Sequence, residues 1–310
     1  MSNIVVITGQ TATGKTSYAL QLAKEINGEL INADSRQLYK YLNIITGKDI
    51  PLGSQFEEMK RLSNLNSDHS IGCYTIKNIP LWLYDLVDPK LSFSSFDYKE
   101  IAHAVIGDIT ARGKTPIIVG GSYLYIKHLV YGFDSVHNPP NWTLREKLNN
   151  NTVEELQKKL QKLNGTRLEK MNNSDRNNPR RLIRQIEGAM VQPVKTVSLT
   201  PEVGEENIAV ESFVGLRFAN PDTLAKIIKK RVNERIEQGA FEEVENLLKK
   251  GYIKNDPGLI TIGYKEIIAY LENSMTKQEA TDRWILSEIQ YAKRQFTFMK
   301  KDKSINWKIL

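Results

Sequence analysis

The sequence predicts an α/β fold: a parallel sheet covered by helices on both faces, with a helical subdomain inserted into it. Three observations carry this reading. Short apolar runs alternate with helical periods over residues 4–140, the pattern of strands that pair in parallel through helical crossovers. A complete phosphate-loop motif joins the first apolar run to the first helical period. Residues 141–192 are highly charged and helical in pattern, with no strand-like run among them.

Residues 4–8 form a continuous apolar run bounded by glycine, as a strand buried on both faces requires. Glycine-containing residues follow, then a helical pattern over 15–26. Residues 29–32 read as a second strand and 81–87 as a third, with a helix over 97–112 after it. A fourth strand at 115–119 ends in Gly120-Gly121, and another helix starts near Ser122. Between the second and third runs, residues 48–78 are polar and without a clear period, and read as an insertion or flap. The character changes at Asn138, where the helical insertion begins. Residues 194–208 contain Pro, Gly and Glu and read as a loop, after which 211–218 return to a strand. Asn220-Pro221 starts a helix, with Asn as its cap and Pro in the first turn. The remainder reads as helical to about residue 301, broken over 251–263, and Thr276 with Glu279 forms a capping box for the last long helix. The expected organisation is a core of 1–140 and 193–310 around an inserted subdomain of 141–192.

A chain of 310 residues can bury one large core and a smaller one. Its 43 basic against 36 acidic side chains give a net charge of +7, which permits a polyanionic partner such as nucleic acid without establishing one. Cys73 is the single cysteine, which excludes an intrachain disulfide framework and a cysteine zinc site. His69, His103, His128 and His137 lack metal-ligand spacing and read as non-catalytic. The first residues do not read as a signal peptide, and no apolar stretch approaches the roughly 18 residues of a membrane span. A cytoplasmic protein without a membrane anchor is expected.

Gly9-Gln10-Thr11-Ala12-Thr13-Gly14-Lys15-Thr16 fits the G-x-x-x-x-G-K-[ST] pattern completely, after a strand and at the start of a helix. Such a loop wraps phosphate oxygens in backbone N–H groups at a helix N-terminus. Lys15 adds a mobile positive charge, and the Thr16 hydroxyl can ligate magnesium. By motif alone the site could equally take ATP. The fold class is therefore P-loop NTPase-like, but the loop does not name the reaction. Asp34 follows the second strand, so it should face the same crevice beyond the carboxyl ends of the strands. A carboxylate there could bind magnesium, cap a helix or serve as a general base.

In order along the chain stand the P-loop, NADSRQLYKYLNIITGK, LYDLVDP, Phe96-Asp97-Tyr98, PIIVGGSYLYIKHL, DRNNPRRLIRQIEG, Ile262-Gly263-Tyr264-Lys265-Glu266 and Tyr291-Ala292-Lys293-Arg294-Gln295. Together these blocks resemble the tRNA dimethylallyltransferase (isopentenyltransferase) family in its bacterial form, from residue 3 to about 300. The resemblance implies that the P-loop, with Arg231, holds the diphosphate of dimethylallyl diphosphate rather than ATP. It implies magnesium on Thr16 as cofactor, with Lys15 stabilising the departing diphosphate, and Asp34 receiving the proton of the attacking adenine amine. It places Ser122, where the family usually carries Thr, beside the substrates. The implied acceptor is the adenosine just 3′ of the anticodon, in tRNAs reading codons that start with U.

For tRNA, the resemblance nominates Asp34, Ser35, Arg36, Gln37 and Ser122 in the core. It adds Arg145, Arg180, Arg181, Leu182, Ile183 and Arg184 in the insertion, and Thr261, Ile262, Gly263, Tyr264 and Lys265 near the end. Ile260 departs from members with a basic residue there. Arg180 and Arg184 share a helix face, which could equally be solvated surface. After Pro221, Leu224, Ile228, Arg231 and Arg235 continue one stripe, so two arginines sit on an inward face and imply an anionic partner or a structural ion pair. In the last helix Ile285, Ile289, Ala292, Phe296 and Met299 read as a core stripe flanked by Lys293 and Arg294. The protein is expected to clamp the anticodon stem-loop with its insertion and to act as a monomer. Two other classes stay open: a P-loop small-molecule kinase and an RNA-binding protein without catalysis.

Overall fold

The computed structural model describes residues 2–48, 50–51, 53–59, 62, 69–132, 140–190 and 208–310. His137, the boundary at Asn138 and nearly all of the expected 194–208 loop lie outside the described residues. In chain order the elements begin β1 (Ser2–Gly9), α1 (Lys15–Glu25), β2 (Gly28–Asn32), β3 (Phe56–Glu58), β4 (Gly72–Ile76) and β5 (Ile79–Trp82). Next come α2 (Ser95–Ala111), β6 (Thr115–Gly120) and α3 (Tyr123–Tyr131). The helices α4 (Trp142–Asn149), α5 (Val153–Lys170), α6 (Asn173–Arg176) and α7 (Pro179–Met190) follow. The chain then returns through β7 (Ile208–Arg217), α8 (Pro221–Glu237), α9 (Ala240–Lys249), α10 (Tyr264–Leu271), α11 (Lys277–Met299) and β8 (Asn306–Ile309). It divides into two compact units, Met1–Gly132 with Asn207–Leu310, and Phe133–Glu206.

The first unit is built on one sheet of order β3-β4-β5-β2-β6-β1-β7-β8. All pairs from β5 to β8 are parallel, and β3, β4 and β5 pair antiparallel at the other edge. Ile4, Val6 and Ile7 of β1 are fully buried, as expected for a central strand covered on both faces. Ile4 and Val6 pack with α2 residues Ile101 and Val105 in one core, whereas Val5 and Ile7 pack with α1 residues Ala19 and Ala23 in another. Parallel pairing puts the carboxyl ends of β1, β2 and β6 on one rim, and α1 and α3 start there.

Several boundaries differ from the sequence reading. The third strand stops at Trp82, because Leu83 and Asp85 take left-handed backbone (φ 62° and 51°). Residues 83–87 leave the sheet yet stay core, with Leu83, Leu86 and Val87 buried. The polar stretch 48–78 holds two edge strands; β4 and β5 are joined at Lys77-Asn78, both at positive φ, a two-residue hairpin turn matched to strand twist. The helix expected to run from 221 to 250 breaks at Gly239, whose φ of 98° starts α9. A final strand, β8, extends the sheet beyond β7.

The second unit is helical in its described residues. Leu148 of α4, Leu156 and Leu160 of α5, and Leu182, Ile183 and Ile186 of α7 form its core. Thr152 and Glu155 cap α5 reciprocally, and Asn172 caps α6.

Candidate active site

The phosphate loop takes its shape from three positions. At Gly9 (φ 141°) a Cβ would lie 2.2 Å from the Leu216 carbonyl oxygen of β7, so only glycine lets β1 turn out of the sheet there. Ala12 and Gly14 follow at positive φ, 65° and 73°. The Thr13 hydroxyl donates to the Gln10 carbonyl at 2.8 Å, and the Lys15 ammonium donates to the same oxygen at 2.7 Å. Lys15 therefore folds back over the loop. Burial lowers its pKa to about 8; the Arg231 charge pushes the same way, and Asp34 opposes them.

A second layer holds the loop from α11. The Thr11 N–H donates to Gln295 Oε1 at 2.9 Å, while Gln295 Nε2 donates to the Gly121 carbonyl at 2.9 Å. One side chain thus ties the phosphate loop to the turn after β6. Gln10 Nε2 donates in addition to the Ala292 carbonyl at 3.2 Å.

Beyond the loop opens a cavity of about 300 Å³, whose lining includes Lys15, Thr16, Asp34, Gln37, Arg231 and Arg235. Arg235 is buried and donates from Nη1 to the Ile45 carbonyl at 2.8 Å. Gly47 lies against it: a Cβ there would sit 2.1 Å from Arg235 Nη2. Gln37 Nε2 closes the same turn by donating to the Gly47 carbonyl at 2.7 Å. Four cationic or amide side chains and one carboxylate, Asp34, therefore meet over the start of α1. That is the charge pattern of a site for a polyphosphate anion with a single base beside it.

Asp34 is held by backbone and by its neighbours. Its N–H donates to Asn32 Oδ1 at 3.0 Å, and its Oδ1 accepts from the Arg36 N–H at 3.1 Å. Ser122, expected beside the substrates, is buried behind this turn; its Oγ accepts from the Ser35 N–H and donates to Ser35 Oγ, each at 2.9 Å. Arg36 points inward to Glu288 of α11 at 3.0 Å and stacks on the Tyr291 ring at 3.9 Å. Its guanidinium is thereby engaged within the protein.

The structure brings Lys15, Thr16, Asp34, Gln37 and Arg231 into one cavity and sets the other nominated side chains in varied surroundings. Tyr264 is fully buried, and its hydroxyl is bonded to Glu243. Gly263 is buried at φ 93°, Ile262 packs on the core, and the Thr261 hydroxyl donates to the Gly258 carbonyl. Of this block Lys265 is exposed. Leu182 and Ile183 form the core of the helical unit, whereas Arg180, Arg181 and Arg184 are exposed, Arg181 beside Asp175. Arg145 is committed to Glu187 through two hydrogen bonds of 2.8 and 2.7 Å. The stripe on α11 is rotated from the expected one: Trp284, Glu288, Ala292, Gln295 and Met299 are buried, and Ile285 and Ile289 only partly. Lys293 and Arg294 are exposed. Sequence reasoning gave no role to Glu288, Tyr291 or Gln295. The signal available was two polar residues, Glu288 and Gln295, seven apart on a helix face that also carries Trp284. His128 is buried and bonded to Ser95 at 2.7 Å, a structural contact. Among the described residues no helix is long and apolar enough to cross a membrane.

Residues 37–302 match the family model described as IPP transferase. The tRNA dimethylallyltransferase of Acetivibrio thermocellus is 34% identical over 312 residues, spanning 99% of this chain and 91% of that protein. The crystal structure of the full-length tRNA isopentenylpyrophosphate transferase from Bacillus halodurans superposes with a TM-score of 0.65 at 29% identity, over 100% of this chain and 90% of that one. A structure of a eukaryotic dimethylallyltransferase acting on tRNA gives a TM-score of 0.73 over 100% of this chain and 74% of its own. At 24% identity it bears on the fold alone.

Proposed function

Because this chain belongs to the IPP transferase family, we propose that it transfers a dimethylallyl group from dimethylallyl diphosphate to the N6 amine of an adenosine of tRNA, just 3′ of the anticodon. The observation that carries the reading is the meeting of Lys15, Arg231 and Arg235 with one carboxylate, Asp34, in a single cavity at the phosphate loop. The amine nitrogen forms a bond to the allylic carbon as the carbon–oxygen bond to diphosphate breaks. Asp34 takes the proton the nitrogen sheds, and the electron pair leaves on diphosphate. Charge develops on the departing oxygen, where Lys15, the loop N–H groups and the two arginines face it.

The Thr16 hydroxyl at this rim suits a hard cation that would keep waters and substrate phosphates as its other ligands. Thr16 would hold magnesium there, which would add charge neutralisation on the diphosphate. In the helical unit, Arg180 and Arg184 stand exposed at i,i+4 spacing on α7 and serve as phosphate contacts to the anticodon stem-loop.

Radiolabelled dimethylallyl diphosphate, incubated with unmodified tRNA and magnesium but no ATP, tests the reading. Label recovered as N6-dimethylallyl-adenosine in tRNA supports it. Label on free AMP would reassign the acceptor, and turnover of ATP on a small acceptor without any prenyl transfer would show a kinase.

A further inference from the structure

Glu288 is a buried carboxylate, 3% exposed, on a helix face otherwise packed into the core. It touches none of the proposed substrates' reacting atoms in the scheme above. Its partner is Arg36, and the contact is a hydrogen-bonded ion pair of 3.0 Å with both side chains largely out of water. Burying such a pair is a poor way to gain stability, because desolvating two charges offsets most of their attraction. An apolar pair of similar volume would hold α11 to the sheet as well. What the pair does supply is a fixed direction for Arg36.

That direction reaches the proton acceptor in one step. The Arg36 N–H donates to Asp34 Oδ1, so the residue anchored by Glu288 carries a hydrogen-bond donor on the carboxylate. The Arg36 guanidinium is held from a second side by the Tyr291 ring at 3.9 Å, one turn along α11 from Glu288. Tyr291 is in turn in hydrogen-bond contact with Ser122, whose Oγ accepts from the Ser35 N–H. Both residues after Asp34 are thus latched, Ser35 by the turn after β6 and Arg36 by α11. We propose that Glu288 is a positioning residue: through its ion pair with Arg36 it fixes the Asp34 carboxylate in the orientation that receives the proton during prenyl transfer. The proposal rests on the role assigned to Asp34 above.

The consequence is specific. Glu288 also lines a small pocket with Thr11, Ala12, Arg231 and Arg235, so the chemical step is compared at full donor occupancy, where a positioning role through Asp34 predicts a fall in rate. Glu288→Leu removes the acceptor and the charge. Glu288→Gln keeps a hydrogen-bond acceptor of the same shape and guards against an uninformative folding failure. The measurement is single-turnover transfer of labelled dimethylallyl diphosphate to tRNA by full-length protein, with donor stoichiometry and Kd determined on the same samples. The expected result is full stoichiometry at saturating donor for both variants, with the Kd separating any change in affinity from the change in the chemical step. The transfer rate should fall about 10- to 100-fold for Glu288→Leu and remain within about threefold for Glu288→Gln, because small displacements of a reacting group carry penalties of that order.

The same pair of rates is then taken in an Asp34→Ala background. If Glu288 acts through Asp34, Glu288→Leu has no further effect there. An equal further loss in that background, or a Glu288→Leu rate equal to wild type at full donor occupancy, would overturn the proposal. If Asp34→Ala alone leaves the rate unchanged, it is the role of Asp34 that fails, and the two failures are told apart.

Discussion

Replacing Lys15 by Met should stabilise the unliganded protein while abolishing its affinity for the donor. The ammonium lies between the phosphate loop and α8, and burial with the nearby Arg231 charge brings its pKa from 10.5 down to about 8. A difference of that size corresponds to about 3 kcal/mol of folding free energy lost at neutral pH. Partial solvent access trims this to about 2–3 kcal/mol. The sign follows from proton counting. Between pH 8 and 10.5 the unfolded chain binds the proton and the folded one does not, so stability rises with pH across that window. Below pH 8 both forms are charged and the whole penalty is present. Methionine has similar length and no charge, and the Gln10 carbonyl keeps the Thr13 hydroxyl as donor at 2.8 Å. For a chain of 310 residues, 2–3 kcal/mol amounts to a rise in Tm of roughly 3–5 °C. Thermal melts at pH 7 without ligand read it directly. Adding inorganic diphosphate with magnesium should raise the Tm of wild type and leave Lys15→Met unmoved. A variant that melts below wild type without ligand would refute the reasoning, since Lys15 would then be a stabilising group.

Two further outcomes follow from the geometry. Gly9→Ala must either displace the Leu216 backbone, 2.2 Å from the added carbon, or force φ 141° on alanine; a destabilisation of about 2–4 kcal/mol in denaturant melts is expected, with donor binding lost. Arg180→Ala and Arg184→Ala remove exposed cations from α7, so each should flatten the salt dependence of tRNA binding by about one unit of log–log slope and leave single-turnover transfer at saturating tRNA within twofold.

The sheet and the phosphate site were legible in the sequence because both rest on local rules. An apolar run, a glycine-rich turn and a helical period suffice to place Gly9–Thr16 at the rim, and β-sheet logic then puts Asp34 beside it. The stripe on α8 put Arg231 and Arg235 on an inward face, and both line the cavity. The departures come from tertiary packing. Leu83 is apolar and fully buried, yet its backbone is left-handed, so burial there does not mean strand. Tyr264 sits in a block that resembles an RNA contact, and its hydroxyl is bonded to Glu243 inside the core, a partner that spacing along the chain does not reveal. Gln295 and Glu288 look like ordinary polar residues on a helix until the fold shows that one spans two loops and the other holds Arg36. Periodicity alone placed the inward face of α11 about one residue away from where it lies, at Ile285 and Ile289 rather than Trp284 and Glu288.

The central claim is that one cavity holds a diphosphate donor and that Asp34 performs the proton transfer beside it. Single-turnover transfer by Asp34→Ala, measured at a donor concentration shown to fill the site, tests it most directly. The account predicts a donor Kd close to that of wild type and a transfer rate lower by about 100-fold or more, the scale of a lost general base. An Asp34→Ala protein that prenylates tRNA at the wild-type rate would contradict it.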